Sequence, residues 1–194
     1  MVIRSLAPGL LLAAPRVGDP NFLHTVVLLG LHEPEGAIGW VINGRSLGPL
    51  RGLLDASNIP GGRELPAGRV FDRDARVGGP VEPSGGWLVY RRVPGVELDG
   101  ELPVGADIGV TRHAGVLTSL ARGDGPTEAF MVVGHAGWGP DQLDAEVRAG
   151  DWLPAPVDAA LVFDTVADEL WNAAYERSLG AKPGAFISTT RGMA

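Results

Sequence analysis

The 194-residue chain contains no cysteine, and that absence excludes disulfide scaffolds, thiolate zinc sites, iron–sulfur centres and cysteine nucleophiles. Lysine is nearly absent as well, since Lys182 is the only one. With a formal charge of -7 the molecule as a whole repels phosphate backbones. No helix-turn-helix pattern is recognisable, so direct nucleic-acid binding is not expected. The longest apolar runs are strand-sized, short of the roughly 20 residues a spanning helix needs, and no membrane contact is expected. The segment Met1–Gly9 lacks a signal-peptide pattern: Arg4 is followed by a short apolar stretch that meets Pro8 and Gly9 and then Arg16. The expected compartment is the cytoplasm.

What is present is an apolar fraction of 45%, enough for one substantial core, with no linker-like stretch to divide residues 1–194. Glycine (29 residues) and proline (16) are abundant, which favours turns and short strands over a long-helix bundle. Gly9 to Ala14 is fully apolar and reads as a buried strand ending at Pro15. Asp19-Pro20-Asn21-Phe22 reads as a turn. Thr25 to Leu31 and Ala37 to Ile42 form a hairpin candidate around Glu33-Pro34-Glu35-Gly36.

Ser46 is expected to cap a helix from Leu47 to Ala56, ended by Asn58-Ile59-Pro60-Gly61-Gly62, with a loop from Gly61 to Gly68. Arg76 to Val81 reads as a strand entering a tight glycine turn, and Trp87 to Tyr90 as another strand. Asp107 to Val110 is a further strand, after which Thr111 caps a helix from Arg112 to Leu120. Glu128 to Gly134 is β-type, and Gly137-Trp138-Gly139-Pro140 is expected to open a helix bearing Leu143 and Val147 and closed by Gly150. Ala159 to Phe163 reads as a last strand. Asp164 or Thr165 then caps a helix with Leu170, Trp171, Ala174 and Tyr175. The core is expected over roughly residues 6–180, with 181–194 a tail. Helices alternating with locally paired strands, without a repeated βαβ period, indicate an α+β or mixed-sheet domain.

Four blocks carry a resemblance: Leu10 to Phe22; His32 through Gly36-Ala37-Ile38-Gly39 to Ile42-Asn43; Gly78-Gly79-Pro80-Val81; and Gly134 to Trp152 with its Gly-Trp, Gln-Leu and Glu elements. In order and spacing they are similar to the YqgE/AlgH family of bacterial proteins. The resemblance implies a compact α+β fold with a bifurcated, partly barrel-like sheet surrounded by helices, in the cytosol, and it implies no particular reaction. Members are often labelled transcriptional regulators after a genetic effect of one branch on alginate gene expression. The chain departs from the family where Asn43 is followed by Gly44-Arg45 instead of a basic residue and proline.

Asn21, His32, Asn43, Gly79, His135 and Trp138 lie in these blocks at expected strand ends, where loops can converge on a ligand or partner pocket. Their alternative reading is turn and cap chemistry. His135 is a candidate base or ligand among glycines, although no serine, carboxylate or second histidine stands at a spacing that identifies a partner. A metal site from Asp19, His24, His32 or Glu33 is not expected, because eight strand residues would hold the two histidines roughly 26 Å apart. The Gly134–Gly139 stretch resembles a phosphate loop only superficially: Pro140 removes an amide and Asp141 places a negative charge in the first turn. It reads instead as a tight strand-to-helix turn with Trp138 packed beneath. Glu146 is expected to be partly buried and paired through Gln142 or Arg148, and Asp144 to pair with Arg148 in solvent.

From Asp141 to Glu176 there are nine carboxylates and only Arg148 as a base, which makes Asp164, Asp168 and Glu169 a candidate acidic docking face. No catalytic residue, metal or cofactor is expected. The favoured reading is a non-catalytic module that binds a protein or small molecule with an indirect regulatory effect, as a monomer or small homo-oligomer. The alternative is a small-molecule hydrolase or transferase using His135 and Asn43.

Overall fold

Strand β9, Ala129–Trp138, is where the sheet divides. One of its edges pairs antiparallel with β6 (Val81–Arg91). The other edge is shared: Val132 and Val133 pair in parallel with β5 (Asp74–Val77), whereas Ala136, Gly137 and Trp138 pair antiparallel with β3 (Gly36–Val41). Gly134, with φ of 79°, sits at the changeover. The computed structural model describes residues 5–56, 69–113, 115–122 and 125–186.

From β3 the sheet continues to β2 (Val26–Glu33), β1 (Gly9–Ala13) and β10 (Trp152–Ala155); from β6 it continues to β8 (Ile108–Thr111) and β7 (Leu102–Val104). A short β4 (Ser46–Pro49) pairs with β5. The sheet curls into a half-barrel, so that Leu102 at one end comes close to Gly30 of β2 and joins the same core.

Alternation along each strand explains the layers. Leu10, Leu12, Val26, Leu28, Trp40 and Ile42 point to the inner face, where α5 (Ala159–Asp164) and α6 (Ala167–Leu179) pack with Leu161, Phe163, Leu170 and Trp171. Leu11, Ala13, Val27, Leu29 and Val41 point outward under α4 (Gln142–Ala149). Both faces are covered, which is why β1 and the first half of β2 read as unbroken apolar runs. A third cluster lies on the outer face of β6 and β9, where Leu88, Tyr90 and Ala129 meet α1 (Leu50–Ala56), α2 (Arg69–Asp72) and α3 (Gly115–Arg122). Trp171 Nε1 and Tyr175 OH both donate to the Ala13 carbonyl, at 2.9 and 3.0 Å, and fasten α6 to β1. Burial pushes the Tyr175 phenol up to about 12.

The buried first strand, the Pro34-Glu35 hairpin, the Asp19 turn and the Gly150 helix end match the expectation. Four local expectations are corrected. Ala159 to Phe163 is helix α5, not a strand, because Asp158 accepts from the Leu161 amide at 3.0 Å and caps it; the last strand is β10. Ser46 lies in β4 and its hydroxyl bonds Asp74 at 2.5 Å, so the helix begins only at Leu50. Thr111 ends β8, donating to the Asp99 carbonyl and accepting from the His113 amide, while α3 starts at Gly115. Helix α6 begins after Val166 without a side-chain cap, and Asp164 belongs to α5. At the end of the described chain Pro183–Phe186 forms a 3₁₀ turn. The expected stop at Asn58–Gly62, the Gly61–Gly68 loop and the tail from residue 187 onward lie outside the described residues.

Candidate functional site

The residues expected to share a pocket are distributed over the fold. Asn21 donates to Asp19 Oδ1 at 3.0 Å inside its own turn. Asn43 joins strand ends, accepting from the Val26 amide at 2.7 Å and donating to the His24 carbonyl at 3.0 Å. His32 Nδ1 accepts from the Leu6 amide at 3.1 Å, and its Nε2 lies 3.4 Å from Asp144 Oδ1, tying β2 to α4. His24 instead stacks on Trp171 with ring centroids 4.2 Å apart. Among the described residues no cluster of three potential metal ligands forms. Gly79 and His135 do meet: a Cβ on Gly79 would collide with the His135 backbone, so close approach of the two chains requires glycine there.

Trp138 anchors the outer face. The strand continues through it, so Gly134 to Trp138 is strand and not a strand-to-helix turn; α4 starts only at Gln142. Glu146 Oε2 accepts from both Trp138 Nε1 and Trp152 Nε1, each at 2.8 Å, and Oε1 accepts from Gln142 Nε2 at 2.8 Å. Gln142 in turn accepts from the Gly139 amide at 3.0 Å. The expected pairing of Glu146 through Gln142 is therefore present. Arg148 does otherwise than expected: its Nε donates to the Asp144 carbonyl at 3.0 Å, while the Asp144 carboxylate faces His32.

His135 lies on the other face of the same strand, because the positive φ at Gly134 breaks the alternation after the outward-facing Val133. Its ring is 5.9 Å from Trp87, and Trp87 is 5.1 Å from Trp40. The Arg112 guanidinium stands 4.9 Å from the Trp87 ring centre and pairs with Glu82 at 2.9 Å. Glu82 itself has φ of 47°, a left-handed conformation uncommon for a residue with a Cβ. Burial lowers the His135 pKa; Glu82 opposes this and Arg112 adds to it. Burial thus favours the neutral ring. Its Nδ1, with the indole nitrogens of Trp40 and Trp87, is buried without a hydrogen-bond partner among the described residues.

A cavity of about 440 Å³ opens between α1, α3 and the outer face of the sheet. Leu50, Leu53 and Leu54 form one wall, Val116 and Leu117 another, and Leu88, Met131 and Val133 the floor. Gly86 puts no side chain into that floor, which leaves room above Met131. Exposed Arg112, His113 and Ser84 supply polar groups at the edge. The volume falls within the ~300–1,000 Å³ of typical small-molecule sites, and an apolar body with a few polar groups is their usual chemistry. Sequence reasoning passed over this site. Thr111-Arg112-His113, two basic side chains between a strand and a helix, was the available signal.

The candidate docking residues lie where α5 hands over to α6, and all are exposed. Asp164 pairs with Arg91 at 3.2 Å, whereas Asp168 and Glu169 occupy the first turn of α6, where their charge complements the helix dipole.

The AlgH-like family profile (DUF179) matches residues 10–183. A UPF0301 protein of Anaeromyxobacter dehalogenans is 37% identical over 189 residues, covering 94% of this chain and 92% of the relative. One from Cereibacter sphaeroides is 37% identical over 186 residues, covering 95% and 97%. The solution structure of the AlgH protein from Pseudomonas aeruginosa superposes with a TM-score of 0.75 at 31% identity over the full length of both chains. A crystal structure of a Corynebacterium diphtheriae protein shares the fold, with a TM-score of 0.71 at 22% identity and 92% and 90% coverage. The four sequence blocks, the divided half-barrel sheet and these matches agree, and the chain belongs to the AlgH-like (UPF0301) family.

Proposed function

We propose that this protein is a non-catalytic cytoplasmic binding module whose ligand is a small amphipathic molecule held in the cavity between α1, α3 and the sheet. The observation that carries this reading is the cavity itself: about 440 Å³, walled by leucines and valines, with Arg112 and His113 at one edge. An apolar body gains roughly 25 cal/mol for each Å² removed from water there, and a polar or anionic end stays at the edge beside the two basic residues. A regulatory effect then arises through a protein partner that reads the occupied state, for which the exposed Asp164, Asp168 and Glu169 surface offers an acidic face.

Native mass spectrometry of protein freshly purified from its own cells, set against the denatured mass, tests this. A discrete excess mass lost on denaturation, and lost again when Leu117→Trp fills the cavity, is expected. A bare polypeptide mass, unchanged after incubation with medium-chain carboxylic acids, contradicts it.

A further inference from the structure

A second concavity, about 200 Å³, lies on the other side of β5 from that cavity, and two arginines line it. Arg73 and Arg76 stand on and beside β5, facing Phe130 and the α5–α6 junction at Phe163, Asp164 and Thr165. Their positive charges act on each other. Among the described residues neither forms an ion pair. Arg73 Nη2 has one long bond, 3.4 Å, to the Phe163 carbonyl, and Arg76 Nη1 donates to the Ile42 carbonyl at 2.9 Å. A guanidinium carries five N–H donors, so most of the capacity of both is uncommitted.

The neighbouring carboxylates are held elsewhere. Asp164 is drawn to Arg91, at 3.2 and 3.4 Å, which also binds Glu128. Asp74 accepts from the Ser46 hydroxyl at 2.5 Å. Asp168 acts on Arg76 only through its field, as Asp74 also does. Burial, with Arg73 adding to it, depresses the Arg76 pKa, and an anion beside the guanidinium opposes both effects. The Phe130 ring lies beside Arg76, with its centre 5.4 Å from the guanidinium carbon. Two guanidinium forks lining a small open cleft match a tetrahedral oxyanion with several acceptor oxygens.

We infer that the cleft between Arg73, Arg76 and the α5–α6 junction binds a phosphate group, free or carried on a small organic molecule. This site is separate from the amphipathic cavity and stands or falls independently of it. The bound group displaces water from Arg73 and Arg76, while Asp164 stays turned to Arg91; removing the Asp164 charge therefore tightens binding.

The test is an NMR titration of the full chain with inorganic phosphate at low ionic strength, following the arginine Nε–Hε resonances. Those of Arg73 and Arg76 are expected to shift saturably with phosphate and not with chloride at equal ionic strength. Arg73→Gln is expected to weaken binding at least tenfold, and Asp164→Asn, which leaves both arginines in place, to strengthen it severalfold. Adenosine monophosphate in a parallel titration identifies the source: tighter binding than phosphate indicates a phosphate ester, equal affinity the free oxyanion. Equal shifts with chloride, or unchanged affinity in both variants, would overturn the inference.

Discussion

Two helical covers lie on the outer side of the same sheet, and they are built differently. Under α4 the space is closed: Leu143 is buried against Trp138 and Trp152, and both indole N–H groups end on one Glu146 oxygen. Under α1 and α3 an apolar cluster also lines the sheet, yet about 440 Å³ stays open above Gly86 and Met131. This space is a groove open to solvent, with glycine at Gly86 leaving room in its floor. The closed cover holds the fold, and the open one is where a ligand fits.

Substitutions that sharpen the contrast differ in size. The largest effect is expected from Glu146→Ala, which orphans two buried indole donors and the Gln142 amide. Leaving buried donors unpaired costs about 1–3 kcal/mol each, so urea denaturation should show a loss of about 2–5 kcal/mol. Leu143→Ala should cost about as much through the void it leaves. The next effect separates the covers. Leu117→Trp on the open side should lower affinity for a medium-chain carboxylic acid at least tenfold and change stability by less than about 1 kcal/mol, whereas Val147→Trp on the closed side should destabilise by about 1–3 kcal/mol. Equal destabilisation would show the open side to be packed like the closed one.

Arg112→Gln should act more mildly, reducing affinity for the acid several-fold by calorimetry and leaving affinity for the corresponding alcohol unchanged. The smallest effect concerns His135. Burial lowers its folded-state pKa, so the unfolded chain binds the proton more readily. Stability is then full above the unfolded value of about 6.5 and falls as pH drops from there through the folded pKa. His135→Asn should flatten this part of the pH profile in thermal melts between about pH 7.5 and 5. An unchanged slope would place the titration elsewhere.

Much of the fold was legible because β1 and β2 are apolar on both faces and the Pro34-Glu35 turn sits between two β-rich runs. Ala159 to Phe163 was misread because five apolar residues carry no periodicity that separates a strand from a buried helix; the Asp158 cap held the information. Gly134 to Trp138 was misread for the opposite reason, since its glycines signal a turn, whereas pairing with β3 and β6 keeps it a strand. The site was less legible still. His32 and Asn43 look like pocket residues in sequence, but their polar atoms join elements of the fold to one another. The cavity depends on how far α1 stands from α3 and on a missing side chain at Gly86, neither of which is written in local pattern.

The most direct test of an open cover uses Met131, one of three methionines in the chain and part of the cavity floor, the others being Met1 and Met193 near the ends. With the methionine methyl groups carbon-13 labelled, titration with octanoate should move the Met131 methyl resonance saturably and have no effect on it in Leu117→Trp. A Met131 resonance that stays fixed through the titration, or that moves equally in the filled variant, would contradict the account.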